Sequence, residues 1–548
     1  MRGHLLVLDQ GTTQSKALVF DDRGRIKARA VVPVELSYPR PGWVETSAQS
    51  LFDSLVEAGR AAIGRAGIEP EALRGVALAN QGETAVAWDR TSGDVLGPVI
   101  SWQCTRTAGL CDDLERRGLA GLIKERTGLP VNPYFTATKL MWLLKEAPRC
   151  REALKRGRLA MGTTDAYLIA RLTGAFGDRP VRTDVATASR TMLLNLTAAA
   201  WDDDVLNALR VPKTALPEIA ANIDDYGTVL PEYFGAPVPL VAACVDQQAS
   251  LMGHRCLDPG MCKVTYGTGA FVLLHAGNAP PAGALDHGVI PTVAWSLGPV
   301  ESRGEKSGST GATGGSAVEY ALDGGIFTAG AAVEWLVQLG LLESVEQSEA
   351  VAAQSPSSGG VIFVPALAGL AAPYWDPGAR GAFFGLTRGA GKAQIVRAVL
   401  EGVALRVRDI VAAMERAASC RITSLRADGG MAANRTFVQI QSDILGLPVD
   451  VAPAIEATSI GMAHMAGLAL GWWSIDDLRR SGGEWDRVGP DPAARYPLEH
   501  WRRAVERARG GAGGDSGEGS GGKRGGSFGE QSGGAGENLV NGGESTCD

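Results

Sequence analysis

The chain has 548 residues, of which 45% are hydrophobic and 21% are charged, and 53 Lys and Arg against 60 Asp and Glu give a net charge of −7. This composition excludes wholesale disorder and is typical of a folded protein of two to four domains. The acidic balance argues against a nucleic-acid partner, because no excess of cations is available to neutralise phosphates. No apolar run approaches the roughly 18 residues that cross a membrane. Eight scattered cysteines lack zinc-binding spacing. We therefore expect a cytoplasmic protein with reduced thiols and no membrane partner.

The first predicted element is a hairpin between residues 5 and 20. Two β-rich runs flank the turn Asp9-Gln10-Gly11-Thr12-Thr13. Gly11 would let the backbone approach a phosphate closely, and Thr12 and Thr13 would add hydroxyl donors to the backbone amides. Asp9, at the end of the first run, could hold Mg²⁺ through a water. The simpler interpretation is a plain β-hairpin with a polar turn.

Three further elements precede the middle of the chain. Val76–Gln81 is predicted to be a strand that ends at the polar cluster Gly82-Glu83-Thr84. Tyr134–Glu146 has the apolar spacing of a helix. An apolar run ends at Val245, and Asp246 then opens a predicted helix, where it could serve simply as an N-cap.

A second hairpin repeats the pattern of the first near the centre of the chain. Cys262–Tyr266 and Ala270–Leu274 are predicted strands on either side of the turn Gly267-Thr268-Gly269. One glycine-rich hairpin is a weak signal. Two of them, each opening one half of the chain, predict a duplicated domain whose turns face a common cleft and hold a nucleotide's phosphates from opposite sides.

The last elements complete an alternation of strands and helices that indicates an α/β fold. The strand-like run Ser424–Ala427 leads into Asp428-Gly429-Gly430, whose glycines before a helix N-terminus suit contact with a nucleotide. Gly461–Gly467 is predicted to be a tightly packed core helix. Glu301–Ser316 is predicted to be a surface loop, and residues 509–548 a disordered Gly/Ser-rich tail, because they contain too few apolar residues to offset their ordering entropy.

With these residues identified, the sequence resembles the FGGY family of carbohydrate kinases, and within it the glycerol kinases, from Leu5 to about Trp501. The matching strings are long and occur in the family's order. They are LDQGTT at Leu8–Thr13, YPRPGWVE at Tyr38–Glu45, SWQC at Ser101–Cys104, NPYF at Asn132–Phe135, ASRTML at Ala188–Leu193, DQQA at Asp246–Ala249, YGTGAF at Tyr266–Phe271 and the 18-residue run Ala372–Gly389.

The resemblance implies two ribonuclease-H-like α/β domains of the actin-like ATPase superfamily on either side of a central cleft. It implies an N-terminal domain at residues 1–252, on the substrate and phosphate side, and a C-terminal domain at 253–508, on the adenine side. The implied activity is ATP- and Mg²⁺-dependent phosphorylation of a small polyol or sugar, with glycerol and glycerol 3-phosphate as substrate and product. It leaves open a homodimer or a homotetramer.

The resemblance also assigns roles to individual residues. Asp246 matches the general base that takes the proton of the attacking hydroxyl, and Asp9 matches the acid that positions the metal-bound nucleotide. The remaining matches are Glu83, Trp102, Tyr134, Asp246, Gln247 and Phe271 around the substrate; Thr12, Thr13, Gln14 and Lys16 at the first phosphate turn; Gly267 and Thr268 at the second; and Gly330, Glu334, Gly430 and Asn434 around the adenosine.

Three residues depart from the family's pattern. Lys16 replaces an arginine, Glu334 replaces a glutamine, and Gly82 replaces the arginine of the Asn-Gln-Arg-Glu-Thr string. A hydrogen bond to a charged group contributes about 1.5–3 kcal/mol, so glycerol affinity is expected to fall unless another group compensates. The vacated volume could instead admit a four- or five-carbon polyol or a ketose. The sequence is also compatible with a non-catalytic polyol-binding relative and with an actin-like assembly ATPase.

Overall fold

A computed structural model describes residues 3–177, 179–298, 318–453, 456–481 and 485–510. The predicted surface loop at 301–316 lies outside these residues, as does the predicted tail beyond residue 510. In the first half of the chain the strands are β1 (His4–Gln10), β2 (Gln14–Asp21), β3 (Ile26–Pro33), β4 (Leu36–Ser37), β5 (Glu45–Thr46), β6 (Leu73–Asn80), β7 (Ala85–Asp89), β8 (Val99–Ile100), β9 (Leu159–Thr163), β10 (Arg182–Asp184), β11 (Leu194–Asn195), β12 (Ala200–Trp201), β13 (Glu218–Ala220), β14 (Thr228–Val229) and β15 (Val238–Val245). The helices are α1 (Ala48–Ala66), α2 (Ala108–Arg116), α3 (Ala120–Thr127), α4 (Thr136–Glu146), α5 (Pro148–Lys155), α6 (Thr164–Thr173), α7 (Val185–Ala188), α8 (Asp203–Leu209), α9 (Pro231–Phe234) and α10 (Asp246–Gly253).

The second half continues the same alternation. Its strands are β16 (Cys262–Tyr266), β17 (Ala270–Gly277), β18 (Ile290–Ser296), β19 (Val318–Ile326), β20 (Ile362–Val364), β21 (Ala382–Phe384), β22 (Leu425–Gly429), β23 (Val449–Val451) and β24 (Asp486–Val488). Its helices are α11 (Gly330–Gln338), α12 (Gln347–Ala353), α13 (Lys392–Ala418), α14 (Arg435–Leu445), α15 (Ala457–Ala469), α16 (Ile475–Arg480) and α17 (Leu498–Gly510). Helix α17 extends two residues into the segment predicted as a tail.

The two large sheets have the same strand order and the same strand directions. The first contains β3-β2-β1-β6-β15 and the second contains β19-β17-β16-β22-β23. In each sheet the first two pairs are antiparallel and the last two are parallel. This repetition is the duplicated α/β unit that the two Gly-Thr hairpins predict.

A third sheet, β4-β5-β8-β7-β9, extends the first half over the cleft. Together with α2 to α5 it forms its own apolar cluster around residues such as Leu140 and Met161. Residue 83, just before β7, and residues 102 and 134 all belong to this added region. Its folding therefore positions three of the six predicted substrate-binding side chains.

The two halves share a continuous apolar core. One buried cluster contains Leu5 and Val7 of the first sheet together with Leu273 of the second. At its centre α10 packs against α15 at backbone distance: a Cβ atom on Gly253 would lie 1.9 Å from the carbonyl oxygen of Ala457. Glycine is required there because no side chain fits between the two helices. The prediction of a tightly packed core helix at α15 is thereby confirmed.

Among the described residues, none of the helices combines the length and the apolar character that crossing a membrane requires.

Candidate active site

Two polar turns occupy equivalent positions in the two large sheets. The first joins β1 to β2, and the amide of Gly11 donates to the carbonyl oxygen of Gln14 at 3.1 Å. The second joins β16 to β17, and the amide of Ala329 donates to the carbonyl oxygen of Thr268 at 2.9 Å. Thr13 and Thr268 are exposed, whereas the strands that carry them are largely buried. Both predicted phosphate turns are therefore formed, with polar groups at the surface.

Two of the predicted acids lie at the ends of strands β1 and β15, which flank β6 in the first sheet. Asp9 is near the end of β1, and Asp246 begins α10 directly after β15. Because β1 and β15 both run parallel to β6, their carboxyl ends lie at the same edge. Burial raises the pKa of Asp9 to about 6. Burial also raises the pKa of Asp246 to about 7, and the negative charges of Asp9 and Glu83 add to this rise. Both carboxylates therefore change charge near neutral pH, as acid–base groups do.

Lys16 has acidic neighbours on both halves of the chain. Its Nζ atom lies 3.9 Å from Oδ2 of Asp9 and 3.3 Å from Oε2 of Glu456, just before α15. Arg29 also reaches Glu456, with its Nε atom 2.9 Å from Oε1. Sequence analysis did not identify Glu456. It is 440 residues from Lys16 along the chain, and no local pattern marks such a contact.

Aromatic side chains form a wall beside the first phosphate turn. The Nε1 atom of Trp102 donates to Oγ1 of Thr12 at 2.9 Å. The rings of Trp102 and Tyr134 meet edge to face with their centroids 5.7 Å apart. Phe271 lies on β17, the strand that follows the second turn, and packs against the core shared by the two sheets. Trp102 thus connects the first turn to Tyr134, and Phe271 packs against the shared core.

Glu83 is buried and paired with an arginine that sequence analysis left without a role. The Nε atom of Arg190 donates to Oε1 of Glu83 at 2.8 Å, and its Nη2 atom donates to Oδ2 of Asp323 at 3.0 Å. Burial raises the pKa of Glu83, and the charge of Arg190 opposes this rise. The partners of Arg190 are 107 and 133 residues away in sequence, so only the fold reveals the cluster.

A fully buried lysine fixes the segment that carries Tyr134. The Nζ atom of Lys139 donates to the carbonyl oxygens of Pro133, Tyr134 and Phe135 at 2.8, 2.6 and 3.1 Å. Burial lowers the pKa of Lys139 to about 7. Helix α4 begins only at Thr136, so Tyr134 lies in the turn before it and not in the helix predicted for 134–146. A lysine on the apolar stripe of an amphipathic helix is the signal that could have identified this residue.

Gln247 is held by a second buried lysine. The Nζ atom of Lys263 donates to Oε1 of Gln247 at 2.8 Å and to Oγ1 of Thr265 at 3.1 Å. Lys263 lies on β16, which leads into the second phosphate turn, and its charge lowers the pKa of Asp246. A cation of the second half therefore contacts the predicted substrate-binding residues of the first.

A cavity of about 360 Å³ lies beside the second turn. Every residue predicted to surround the adenosine lines it, as does one residue of the turn: Gly330, Glu334, Gly430, Asn434 and Gly267. Leu400 and Met431 add apolar surface. A Cβ atom on Gly330 would lie 2.6 Å from the carbonyl oxygen of Gly267, so this close approach requires glycine. Asn434 caps α14 by accepting a hydrogen bond from the amide of Phe437 at 2.8 Å.

Within the described ranges, no three or more His, Cys, Asp or Glu side chains converge as a metal site. Mg²⁺ is commonly held by one or two carboxylates, with phosphate oxygens and waters as its other ligands. Asp9, near the end of β1 and beside the first turn, has carboxylate oxygens of this kind.

The chain is similar to known kinases in sequence and in structure. A glycerol kinase from Thermus brockianus is 44% identical over 510 residues, which cover 92% of this chain and 99% of that protein. A glycerol kinase from Symbiobacterium thermophilum is 42% identical over 93% of this chain and 99% of its own length. The crystal structure of Plasmodium falciparum glycerol kinase with ADP superposes with a TM-score of 0.81 at 29% identity, covering 92% of this chain and 98% of that one. Models of the N- and C-terminal domains of the FGGY carbohydrate kinases match residues 4–253 and 262–470, and the chain therefore belongs to the FGGY family of carbohydrate kinases.

Proposed function

We propose that this chain transfers the γ-phosphate of ATP to a terminal hydroxyl of glycerol, giving glycerol 3-phosphate. Relatives that are 39–44% identical over most of the chain are glycerol kinases. The observation that carries the proposal is the environment of Asp246. Burial raises the pKa of its carboxyl group to about 7, and Asp246 begins α10 directly before Gln247.

In this proposal Asp246 is the general base. A carboxylate with a pKa near the working pH is ionised in a large fraction of molecules and still accepts a proton effectively. Phosphoryl transfer passes through a loose transition state, so the base needs to accept the proton only late in the reaction. Glu83, Tyr134 and Gln247 would orient the polyol, and Trp102 and Phe271 would form its apolar walls.

The nucleotide would lie across both halves of the fold. Thr12, Thr13, Gln14 and Lys16 would contact the phosphates from the first turn, and Gly267 and Thr268 from the second. The adenosine would occupy the 360 Å³ cavity, which Glu334 and Asn434 line. The exposed carboxylate of Glu334 adds an acceptor that the amino group of an adenine could use.

Asp9 is the residue that we assign to Mg²⁺. The ion would neutralise negative charge that develops on the phosphates during transfer. Lys16 lies 3.9 Å from Asp9 and lowers its pKa, which favours the ionised carboxylate that a cation requires.

We also propose the division into an N-terminal domain at residues 1–252 and a C-terminal domain at 253–508. The boundary falls at the last turn of α10, between the two repeated sheets. Closure of the two domains on the substrates would exclude water and suppress wasteful hydrolysis of ATP. A cytoplasmic location and a homo-oligomeric state are part of the same proposal.

A second candidate is phosphorylation of a four- or five-carbon polyol or a ketose. The observation that favours it is Gly82, which lacks the arginine side chain of the glycerol kinase string. A non-catalytic polyol sensor is less consistent with the pairing of Asp9 and Asp246 beside two formed phosphate turns.

Polyol-dependent release of ADP tests these candidate functions directly. Purified protein would be assayed with ATP, Mg²⁺ and, separately, glycerol, tetritols, pentitols and ketoses. We expect the highest kcat/KM with glycerol. Preferential turnover of a pentitol or ketose would favour the second candidate, and no polyol-dependent ADP release with any of them would exclude the kinase.

A further inference from the structure

The space beside Gly82 is filled by other side chains. Gly82 is buried, and a Cβ atom on it would lie 3.0 Å from Cγ2 of Val245 and 3.9 Å from Cγ of Arg190. An optimal contact between carbon atoms is about 3.5–4.0 Å, so even an alanine side chain would be crowded by Val245. The missing side chain therefore does not enlarge the pocket at this point.

Arg190 brings a positive charge to the same place. It follows α7 in the first half of the chain, and its side chain is 5% exposed. Its Nε atom binds Glu83 at 2.8 Å, and its Nη2 atom binds Asp323 on β19 of the second half at 3.0 Å. Two charge-assisted hydrogen bonds from one planar group fix both position and orientation. The guanidinium also lies 5.7 Å from the ring centroid of Phe135, within reach of a cation–π interaction.

These charges act on the predicted substrate pocket. Glu83, Arg190, Asp323 and Asp246 all influence the pKa of the Tyr134 hydroxyl, which burial raises well above its usual value. The five side chains therefore form one electrostatic cluster. Arg190 is a cation in it on the same side of the pocket as residue 82.

Three polar atoms of this cluster, on Glu83, Arg190 and Asp323, have no hydrogen-bond partner within the described residues. Arg190 occupies Oε1 of Glu83, and no hydrogen bond within the described residues engages Oε2. Nη1 of Arg190 and Oδ1 of Asp323 are buried and have no partner among these residues. Because Glu83 cannot rotate without losing the arginine, its second oxygen is held in one direction, where it can accept a hydrogen bond from a hydroxyl group.

We propose that Arg190 is a positioning residue for polyol binding: in a chain whose residue 82 has no side chain, it is the cation that binds Glu83, and it orients Glu83 toward a hydroxyl of a short linear polyol. The inference rests on the proposed polyol kinase activity. Asp323 anchors Arg190 from the second half of the fold, so the orientation of Glu83 depends on both halves.

The test compares Arg190→Gln, Arg190→Lys and Asp323→Asn with Arg126→Gln, which removes an exposed ion pair with Asp204. We expect Arg190→Gln to raise the KM for glycerol about ten- to a hundredfold and to leave the KM for ATP within about twofold. The rise of the glycerol KM at acid pH should begin at a higher pH than in the wild type, because Glu83 loses the cation that lowers its pKa. Arg190→Lys should restore the wild-type pH dependence, because it keeps the positive charge. It should restore the glycerol KM only in part, because an ammonium group lacks the planar pair of donors of a guanidinium.

Gly82→Arg gives an independent readout. Because Val245 and Arg190 occupy the space beside residue 82, the new side chain should displace Arg190 from Glu83, and this substitution should lower kcat/KM for glycerol. Improved efficiency with glycerol would overturn the inference. So would an unchanged glycerol KM and pH dependence in folded Arg190→Gln.

If Arg190→Gln fails to fold, Asp323→Asn, which leaves the pair with Glu83 in place, decides the question. A smaller rise in its glycerol KM supports the inference, and an unchanged KM overturns it. A wild-type protein without polyol-dependent ADP release would instead refute the proposed function itself.

Discussion

The ammonium group of Lys263 fixes the direction in which the Gln247 amide faces the cleft. The Nζ atom of the ammonium group has only donors, so it must contact the oxygen of the amide, at 2.8 Å. The NH₂ group of the amide then faces the other way, where it can donate to another partner. The predicted substrate-binding glutamine is therefore presented as a donor. Lys263 is completely buried and lies on a strand of the other half of the fold, so this direction is set across the cleft.

Replacing Lys263 by methionine tests this relationship. We expect the KM for glycerol to rise about tenfold, because the amide is free to rotate and a charged hydrogen bond is lost. The acid limb of kcat/KM should move to higher pH, since Lys263 lowers the pKa of Asp246 and its loss raises that pKa further. Steady-state kinetics between pH 5.5 and about 9 would measure both effects. Lys213→Met, at an exposed ion pair, is the control, and equal behaviour of the two variants would contradict the assignment.

Asp246→Asn should abolish transfer while nucleotide binding persists. Loss of a general base typically costs about 10²–10⁴ in rate. The amide keeps the shape of the carboxylate but accepts a proton far less readily. Polyol-dependent ADP release would measure the rate, and calorimetric titration with ATP the binding. Asp286→Asn, on an exposed carboxylate, should behave as wild type. Turnover of Asp246→Asn near the wild-type rate would refute the role of the base.

The activity of the wild-type protein should fall steeply below neutral pH. Asp246, with a pKa of about 7, must be ionised to accept a proton, and Asp9, with a pKa of about 6, must be ionised to bind a cation. Because both pKa values are raised, protonation removes activity as the pH falls from about 7 through about 6. Since two groups are protonated, activity should fall more steeply with pH than it would for one group. A kcat/KM profile for glycerol that remains level down to pH 5 would contradict this expectation.

Asn434→Asp should weaken ATP binding and leave polyol binding unchanged. Aspartate still caps α14 through its oxygen, so the helix should remain intact. The variant loses the Nδ2 donor that binds Oγ of Ser348 at 3.1 Å, and it adds a negative charge to the cavity near Glu334. The KM for ATP should rise several-fold with an unchanged KM for glycerol. A change confined to the glycerol KM would show that the cavity does not serve the nucleotide.

Gly253→Ala should destabilise the protein, whereas Gly64→Ala should not. The new Cβ at position 253 would lie 1.9 Å from the carbonyl oxygen of Ala457, so α10 and α15 must separate, a change that typically costs about 1–3 kcal/mol. Gly64 in α1 has nothing within 4 Å of its Cβ position, and alanine there is favoured by about 1 kcal/mol. Thermal unfolding midpoints should therefore shift in opposite directions. A lower midpoint for Gly64→Ala than for Gly253→Ala would contradict the packing argument.

The sequence predicts the parts of the site that follow from local patterns. The two Gly-Thr turns, the acid that opens α10 and the glycine pair before α14 are each visible within about a dozen residues. The structure forms each of these features, and the family comparison supports the fold that the repeated hairpins predict.

The buried charges could not be predicted in the same way. Arg190 meets Glu83 and Asp323 over separations of 107 and 133 residues, and no periodic pattern marks a partner at such distances. Lys139 has local partners, but they are backbone carbonyls, which every residue carries. Such contacts depend on how the elements pack, which propensity and spacing do not encode.

The close contact between α10 and α15 also bears on motion. Apolar side chains of both helices pack in one buried cluster, and the hydroxyl of Thr458 in α15 donates to the carbonyl oxygen of Asp246 in α10 at 3.3 Å, so the two helices are held together. Pulling the helices apart would expose the shared core and is opposed by the loss of apolar contact. The crossing is therefore a fixed centre between the two halves of the chain, and any displacement of one half against the other would be greatest at the points farthest from it.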